Sequence, residues 1–161
     1  MNREIEFRGK RLDGGEWVYG HLREYTDASV HITTKVERAL IRHLNGKPFY
    51  TIHGAEYQVD PETVGQYTGL RDENGVKIFE GDIVNYHTIV DCRGIVSFGR
   101  YEQDGSGDEY APSKCIGFFI ERKWVDFDDD FAVYEKTISL LEVQGLEVIG
   151  NIHDNPELLG V

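Results

Sequence analysis

The feature that most limits what this chain can fold into is a glycine-punctuated block at its middle, Glu62-Thr-Val-Gly-Gln-Tyr-Thr-Gly-Leu-Arg-Asp-Glu-Asn-Gly-Val-Lys-Ile-Phe-Glu-Gly-Asp-Ile-Val84. On either side of it lie short runs rich in aromatic and β-branched residues. The ring of Pro61 fixes its own φ and pushes Asp60 to an extended conformation, so a strand ending at Val59 turns here. Asp60 is then placed to cap the short turn Pro61-Glu62-Thr63-Val64. Gly65 and Gly69 bracket Gln66-Tyr67-Thr68, which reads as too short for an element of its own. Asp72-Glu73-Asn74-Gly75 is a turn signal, because Asn and Gly tolerate positive φ. Glu80-Gly81-Asp82 breaks the chain again before a strand opens at Ile83-Val84. This divides the chain into a first β subdomain (1–61), a central connecting block (62–81) and a second β subdomain (82–161).

The flanking runs are those of strands. Glu4-Ile5-Glu6-Phe7-Arg8 alternates polar and apolar, Asp13-Gly14-Gly15 is a hairpin-type turn, and Trp17-Val18-Tyr19-Gly20-His21-Leu22 follows. That alternation sets Trp17, Tyr19 and His21 on one face and Val18 and Leu22 on the other. With Ser29-Val30-His31-Ile32 these runs predict a small antiparallel meander. Between Lys35 and Leu44, Val36, Leu40 and Leu44 recur at helical spacing, and Asn45-Gly46 with Pro48 would end a helix, so a short helix is expected over 35–44. Phe49–Ile52 and Ala55–Val59 read as strands. In the second half, strands are expected at 82–86, 94–98, 117–120, 131–134 and 146–152, with a capped helical turn at Pro156-Glu157-Leu158-Leu159. Periodicity alone gives an all-β unit of closely spaced strands.

Three blocks carry a family resemblance. Gln66-Tyr67-Thr68-Gly69-Leu70, Asn74-Gly75 and Ile78-Phe79-Glu80-Gly81-Asp82-Ile83-Val84 resemble the hallmark segment of the YopX family of prophage proteins. Val148-Ile149-Gly150-Asn151-Ile152-His153-Asp154-Asn155-Pro156-Glu157-Leu158 resembles that family's closing block. Phe7-Arg8-Gly9-Lys10 with Trp17-Val18-Tyr19-Gly20 resembles its start. The resemblance implies a mainly β fold with short helical turns, in which a small N-terminal β subdomain packs on a C-terminal SH3-like β-barrel. It implies no particular activity.

Composition narrows the class. The chain has 161 residues, with 18 Gly, nine Tyr and eight Phe against one Met, a balance that favours turns and strands over long helices. Nothing resembles a membrane span, and Met1-Asn-Arg-Glu-Ile-Glu lacks the apolar core of a signal peptide. Cys92 and Cys115 are too few for a disulfide framework or a four-thiolate zinc site. A cytoplasmic protein with two reduced thiols is expected. The net charge of −12 is uneven: residues 1–80 hold 11 Lys/Arg and 13 Asp/Glu (−2), residues 81–161 hold 6 and 16 (−10). An acidic second half repels phosphate backbones, so nucleic acid is disfavoured as a partner, while the first half leaves room for a local basic patch.

No complete catalytic constellation stands in the sequence. Asp126-Phe-Asp128-Asp129-Asp130 fails as an EF-hand, because the sixth and twelfth positions are Phe131 and Thr137 rather than Gly and Glu. It reads as a solvated acidic loop. The six histidines lack the His-x-x-x-His spacing of zinc hydrolases. His21 with His31 across a hairpin is the one metal pairing to check. Gly105-Ser106-Gly107 lacks the strand-loop-helix setting of a phosphate cradle. Arg93 beside Cys92 is a thin basis for a nucleophile. No cofactor is implied, and no catalytic residue or metal ligand is assigned. What remains is the central block, where Gln66, Tyr67, Arg71, Asp72, Glu80 and Asp82 place polar groups beside glycines that let a partner approach. The competing reading is structural: glycines for turns, Tyr67 and Leu70 for packing. The expectation is therefore a non-enzymatic binding or assembly module. It would self-associate through the nearly neutral first half or engage a host or phage protein. A single-strand nucleic-acid-binding small barrel and a metal-dependent hydrolase are the rivals.

Overall fold

The computed structural model describes residues 4–34, 37–87, 91–103, 113–125, 137–141 and 143–159. They form antiparallel strands joined by turns, with two short 3₁₀ turns at Pro61–Thr63 and Pro156–Leu159. No helix among them is long and apolar enough to cross a membrane. The chain divides into two compact units, residues 1–66 and 67–161.

In the first unit, β1 (Phe7–Lys10), β2 (Trp17–Glu24) and β3 (Val30–Thr34) are the expected meander, and β6 (Glu56–Val59) adds to β3. Ile32 and Val59 are fully buried on the inner face. Gly9 lets them meet there: a Cβ at this position would lie 3.0 Å from Val59 Cγ2 and 3.2 Å from Ile32 Cδ1. Beyond Lys10 the chain crosses to the far edge of β6. Asp60 N donates to Lys10 O (2.8 Å), Leu12 N to Gln58 O (3.1 Å), and Arg11 bridges Val59. These contacts cover an edge strand without forming a closed ladder, which removes a template for pairing with another chain. The turn at 61–63 forms as expected. Asp60 caps it by accepting from Glu62 N (3.0 Å), and Thr63 Oγ1 accepts from Lys10 N (2.8 Å).

The helix expected over 35–44 is not there. Glu37–Leu44 is a strand, β4, paired with β5 (Lys47–His53) in a two-stranded hairpin. Asn45 and Gly46 both take positive φ, 51° and 74°. That is the requirement of a two-residue hairpin turn, so the signal taken for a helix end closes a β ladder instead. The bracketing of Gln66–Thr68 also fails. β7 runs unbroken through Gly65–Arg71, with Gly65 and Gln66 opposite Arg8 and Phe7 of β1. Gly69, at φ 90°, takes up a register shift within the strand rather than ending it.

In the second unit, the rest of β7 pairs with β8 (Lys77–Phe79). A five-stranded sheet follows in the order β12-β11-β10-β9-β13. Its members are β9 (Asp82–His87), β10 (Asp91–Gln103), β11 (Ser113–Val125), β12 (Thr137–Ser139) and β13 (Gln144–Asn151). β10 and β11 are thirteen residues each, far longer than expected, and span about 43 Å. The sheet is open, its edges being β12 and β13, so the barrel closure expected here is not shown. The core is Ile78, Val84, Tyr86, Cys92, Val96, Ile120, Ile138 and Leu140, with Leu70, Phe118 and Val148 packed against it. The strand expected at 131–134, the acidic loop 126–130 and Gly105–Gly107 lie outside the described residues.

Candidate functional site

Of the six residues proposed from sequence, Gln66 lies in the first unit, half-buried on β7. The other five lie in the second. Tyr67 is only 4% exposed, its ring tilted on Phe79 at 5.5 Å with Lys77 Nζ 5.0 Å from its centre. Asp72 is buried, and three backbone amides converge on it. Oδ1 accepts from Asn74 N (2.9 Å) and Val76 N (2.8 Å), and Oδ2 accepts from Val148 N (3.1 Å) on β13. One carboxylate thus closes its own turn and ties that turn to the last strand. Glu73 N donating to Leu146 O (3.0 Å) adds a second tie.

Asp82 works the same way at the next turn. It is 1% exposed, and its Oδ2 accepts from Phe79 N (2.7 Å) across Glu80-Gly81. Gly81 N then donates to Val96 O (2.8 Å), and Gly81 O accepts from Ile152 N (3.0 Å). Arg71 is exposed, with Nη1 on Gly75 O (2.7 Å), and Glu80 is half-buried. The two buried carboxylates that looked available to a ligand hold backbone amides. A carboxylate that accepts from converging amides in the interior organises turns.

A polar groove of about 310 Å³ opens elsewhere in the second unit, lined by Asn85, Tyr86, His87, Cys92, Arg93, Gly145 and Glu147. Register explains it. Arg93 on β10, Asn85 on β9 and Glu147 on β13 are successive cross-strand partners. Arg93 donates Nε to Asn85 Oδ1 (3.3 Å) and Nη1 to Leu158 O (2.6 Å). Its guanidinium is therefore engaged with those oxygens, which removes the sequence argument for activating Cys92, itself buried in the core. Burial pushes the Tyr86 phenol above its usual range, partly offset by Arg122, whose Nε donates to Tyr86 Oη at 3.1 Å.

The surface that sequence reasoning half-saw lies on the first unit's sheet. β1 and β2 pair so that Arg8 faces Tyr19 and Lys10 faces Trp17. On the same outer face, His21 lies opposite Thr33, Arg23 opposite His31, and His31 opposite Gln58 of β6. Arg8 and Lys10 sit 4.7 Å and 5.6 Å from the Trp17 ring, within cation–π range. Tyr25 sits beside this face, donating to Glu56 Oε1 (2.6 Å) and packed edge-on to His31 at 4.8 Å. His21 and His31 have different cross-strand partners, and among the described residues no three His, Cys, Asp or Glu side chains cluster as a metal site. Alternation had placed Trp17, Tyr19 and His21 together. That basic residues stand opposite two of these rings depends on register, which the sequence does not state.

A family model described as "YopX protein" matches residues 6–160. The chain belongs to the YopX family. Among solved structures, this YopX-family chain is similar to protein EF1440 from Enterococcus faecalis, with 25% identity and a TM-score of 0.51, over 98% of this chain and 99% of that one. No curated protein matches significantly.

Proposed function

We propose that this YopX-family protein is a non-enzymatic binding or assembly module that works through a surface rather than a cleft. The observation that carries this is the pairing of β10 with β11. Val96 opposite Ile120 lies in the core, but further along the same face Phe98 stands opposite Phe118 and Arg100 opposite Ile116. There Phe98 is exposed and Ile116 is 72% exposed. The apolar side of a long ladder thus continues past the core it serves. Meanwhile the buried carboxylate of Asp72 accepts from three backbone amides, and Asp82 Oδ2 accepts from Phe79 N. Arg100 and Lys114 flank the strip, two of six cations in an otherwise acidic half.

A prophage-encoded cytoplasmic protein that forms a closed homo-oligomer, or docks a host or phage protein, fits this surface. An SH3-like barrel over residues 82–161 remains our reading of the scaffold. It is supported by a meander β9-β10-β11-β12 whose following strand, β13, returns to β9.

Sedimentation velocity at up to ~100 μM protein, a concentration at which weak associations with Kd near ~10–100 μM register, tests the assembly form. Association should strengthen with salt, because screening over ~10 Å at 0.1 M weakens repulsion between acidic halves. Ile116→Glu should abolish it. A monomer throughout, with no associated protein after affinity purification from a phage-bearing host, would end this reading.

A further inference from the structure

We infer that the β4–β5 ribbon docks in the major groove of duplex DNA, with Arg42 and Lys47 meeting the phosphates that line it. The inference rests on the binding-module reading and names a partner class for a different surface of the molecule.

The ribbon stands apart by its pairing. It is inserted between β3 and β6, whose ends meet where Thr34 N donates to Ala55 O (2.9 Å). Among the described residues its two strands pair with each other and with no third strand. At its tip His43, Asn45, Gly46, Lys47 and Pro48 are exposed. A lone two-stranded ribbon is marginally stable in water, so docking along its length stabilises it.

Charge selects an anionic partner. Between Glu37 and His53 the sequence holds three fixed cations, Arg38, Arg42 and Lys47, against one carboxylate, Glu37, giving +2. The rest of the chain, with 14 Lys/Arg and 28 Asp/Glu, is −14. Register places Arg42 opposite Phe49 and Lys47 opposite Leu44, and alternation along β5 joins these pairs with Thr51 and His53 on one face. Glu37 is at the base of that face, opposite His53, and Lys47 lies about 20 Å along the ribbon from it. Screening confines each charge to ~8 Å at 0.15 M salt, so the cations toward the tip act on what meets them there. Shape then selects the duplex. Two strands about 4.8 Å apart, with no third strand on either edge, are narrow enough for a major groove about 12 Å wide, and too broad for a minor groove of about 6 Å. Phosphates line both walls of that groove.

Fluorescence anisotropy of a labelled mixed-sequence duplex of about 20 base pairs, roughly two helical turns, tests this on the full chain. Saturable binding is expected in the ~1–100 μM range, weakening with salt at a slope of about −1.8 to −2.7 for two or three phosphates neutralised. Arg42→Gln combined with Lys47→Gln should weaken it at least about tenfold and make the slope shallower by about 1.8. Lys47→Gln alone, at an exposed tip position, should remove about 0.9 of the slope with an unchanged circular dichroism melt. Arg23→Gln, an exposed cation outside the ribbon, should leave affinity and slope as they were. Methyl green, which occupies the major groove, should compete with the protein. The inference is overturned if the duplex stays unbound at ~100 μM protein in low salt, if the double variant binds like the wild type, or if methyl green has no effect. It is equally overturned if oligo-dT of the same length or poly-glutamate binds as tightly, since the groove would then not be what is recognised. Self-association that persists in sedimentation while duplex binding is absent would sink this inference alone.

Discussion

Three backbone amides depend on the carboxylate of Asp72, so its removal tests how far one side chain holds two segments together. Asp72→Ala leaves the N–H groups of Asn74, Val76 and Val148 without their acceptor and should cost on the order of 3 kcal/mol in chemical denaturation. Asp72→Asn keeps one acceptor oxygen and should cost less; equal losses would show that the oxygen geometry is not what matters. Tyr86 offers a second test, through pH. Burial raises its folded-state pKa above the usual 10, so the folded form holds the proton that the unfolded chain releases. Its stabilising contribution is therefore complete below pH 10 and is lost as pH rises from there through the folded pKa. Tyr86→Phe should flatten the fall in melting temperature between pH 9 and 11 relative to wild type. An identical slope in both proteins would place the alkaline sensitivity in other groups.

At the scale of elements, the β10–β11 ladder has glycines with opposite roles. A Cβ on Gly94 would lie 2.4 Å from Ile120 Cγ2 and 2.7 Å from Glu121 O, where the register shifts between Arg93 and Gly94. Gly94→Ala should therefore destabilise by roughly 2 kcal/mol, as overpacking does. Gly117 has open space around it, and Gly117→Ala should leave the midpoint unchanged or slightly raised. Comparable losses in the two variants would refute this reading of the ladder. The elements also show what the residues could and could not tell. The meander, the capped turn at Asp60-Pro61 and the break at Glu80-Gly81-Asp82 were legible, because each rests on chemistry within a few residues. Asn45-Gly46 misled because the same positive-φ pair ends a helix or reverses a hairpin, and only pairing across Leu44 and Lys47 decides between them. The amides that meet the central carboxylates are invisible in sequence; Val148 is 76 positions from Asp72. The basic–aromatic face was half-legible, its rings given by alternation and its cations by register.

For the whole molecule, charge is the dominant long-range term. A chain of −12, with −10 in one half, repels itself when compact, so its melting temperature should climb as sodium chloride rises from ~10 to ~150 mM. A flat or falling dependence would mean that favourable ion pairs outweigh the repulsion. The covering of β6 by residues 10–12 bears on how the protein is made. β1 leaves the ribosome shortly before β2, its neighbour in the sheet, but Lys10 and Leu12 must wait for Asp60 and Gln58. At ~5–20 residues per second, the segment between them takes several seconds to emerge, and over that interval both Gly9 and Ile32 lack Val59. The nascent first unit therefore stays open until β6 arrives, and then gains that edge and the Val59 part of its core in the same step.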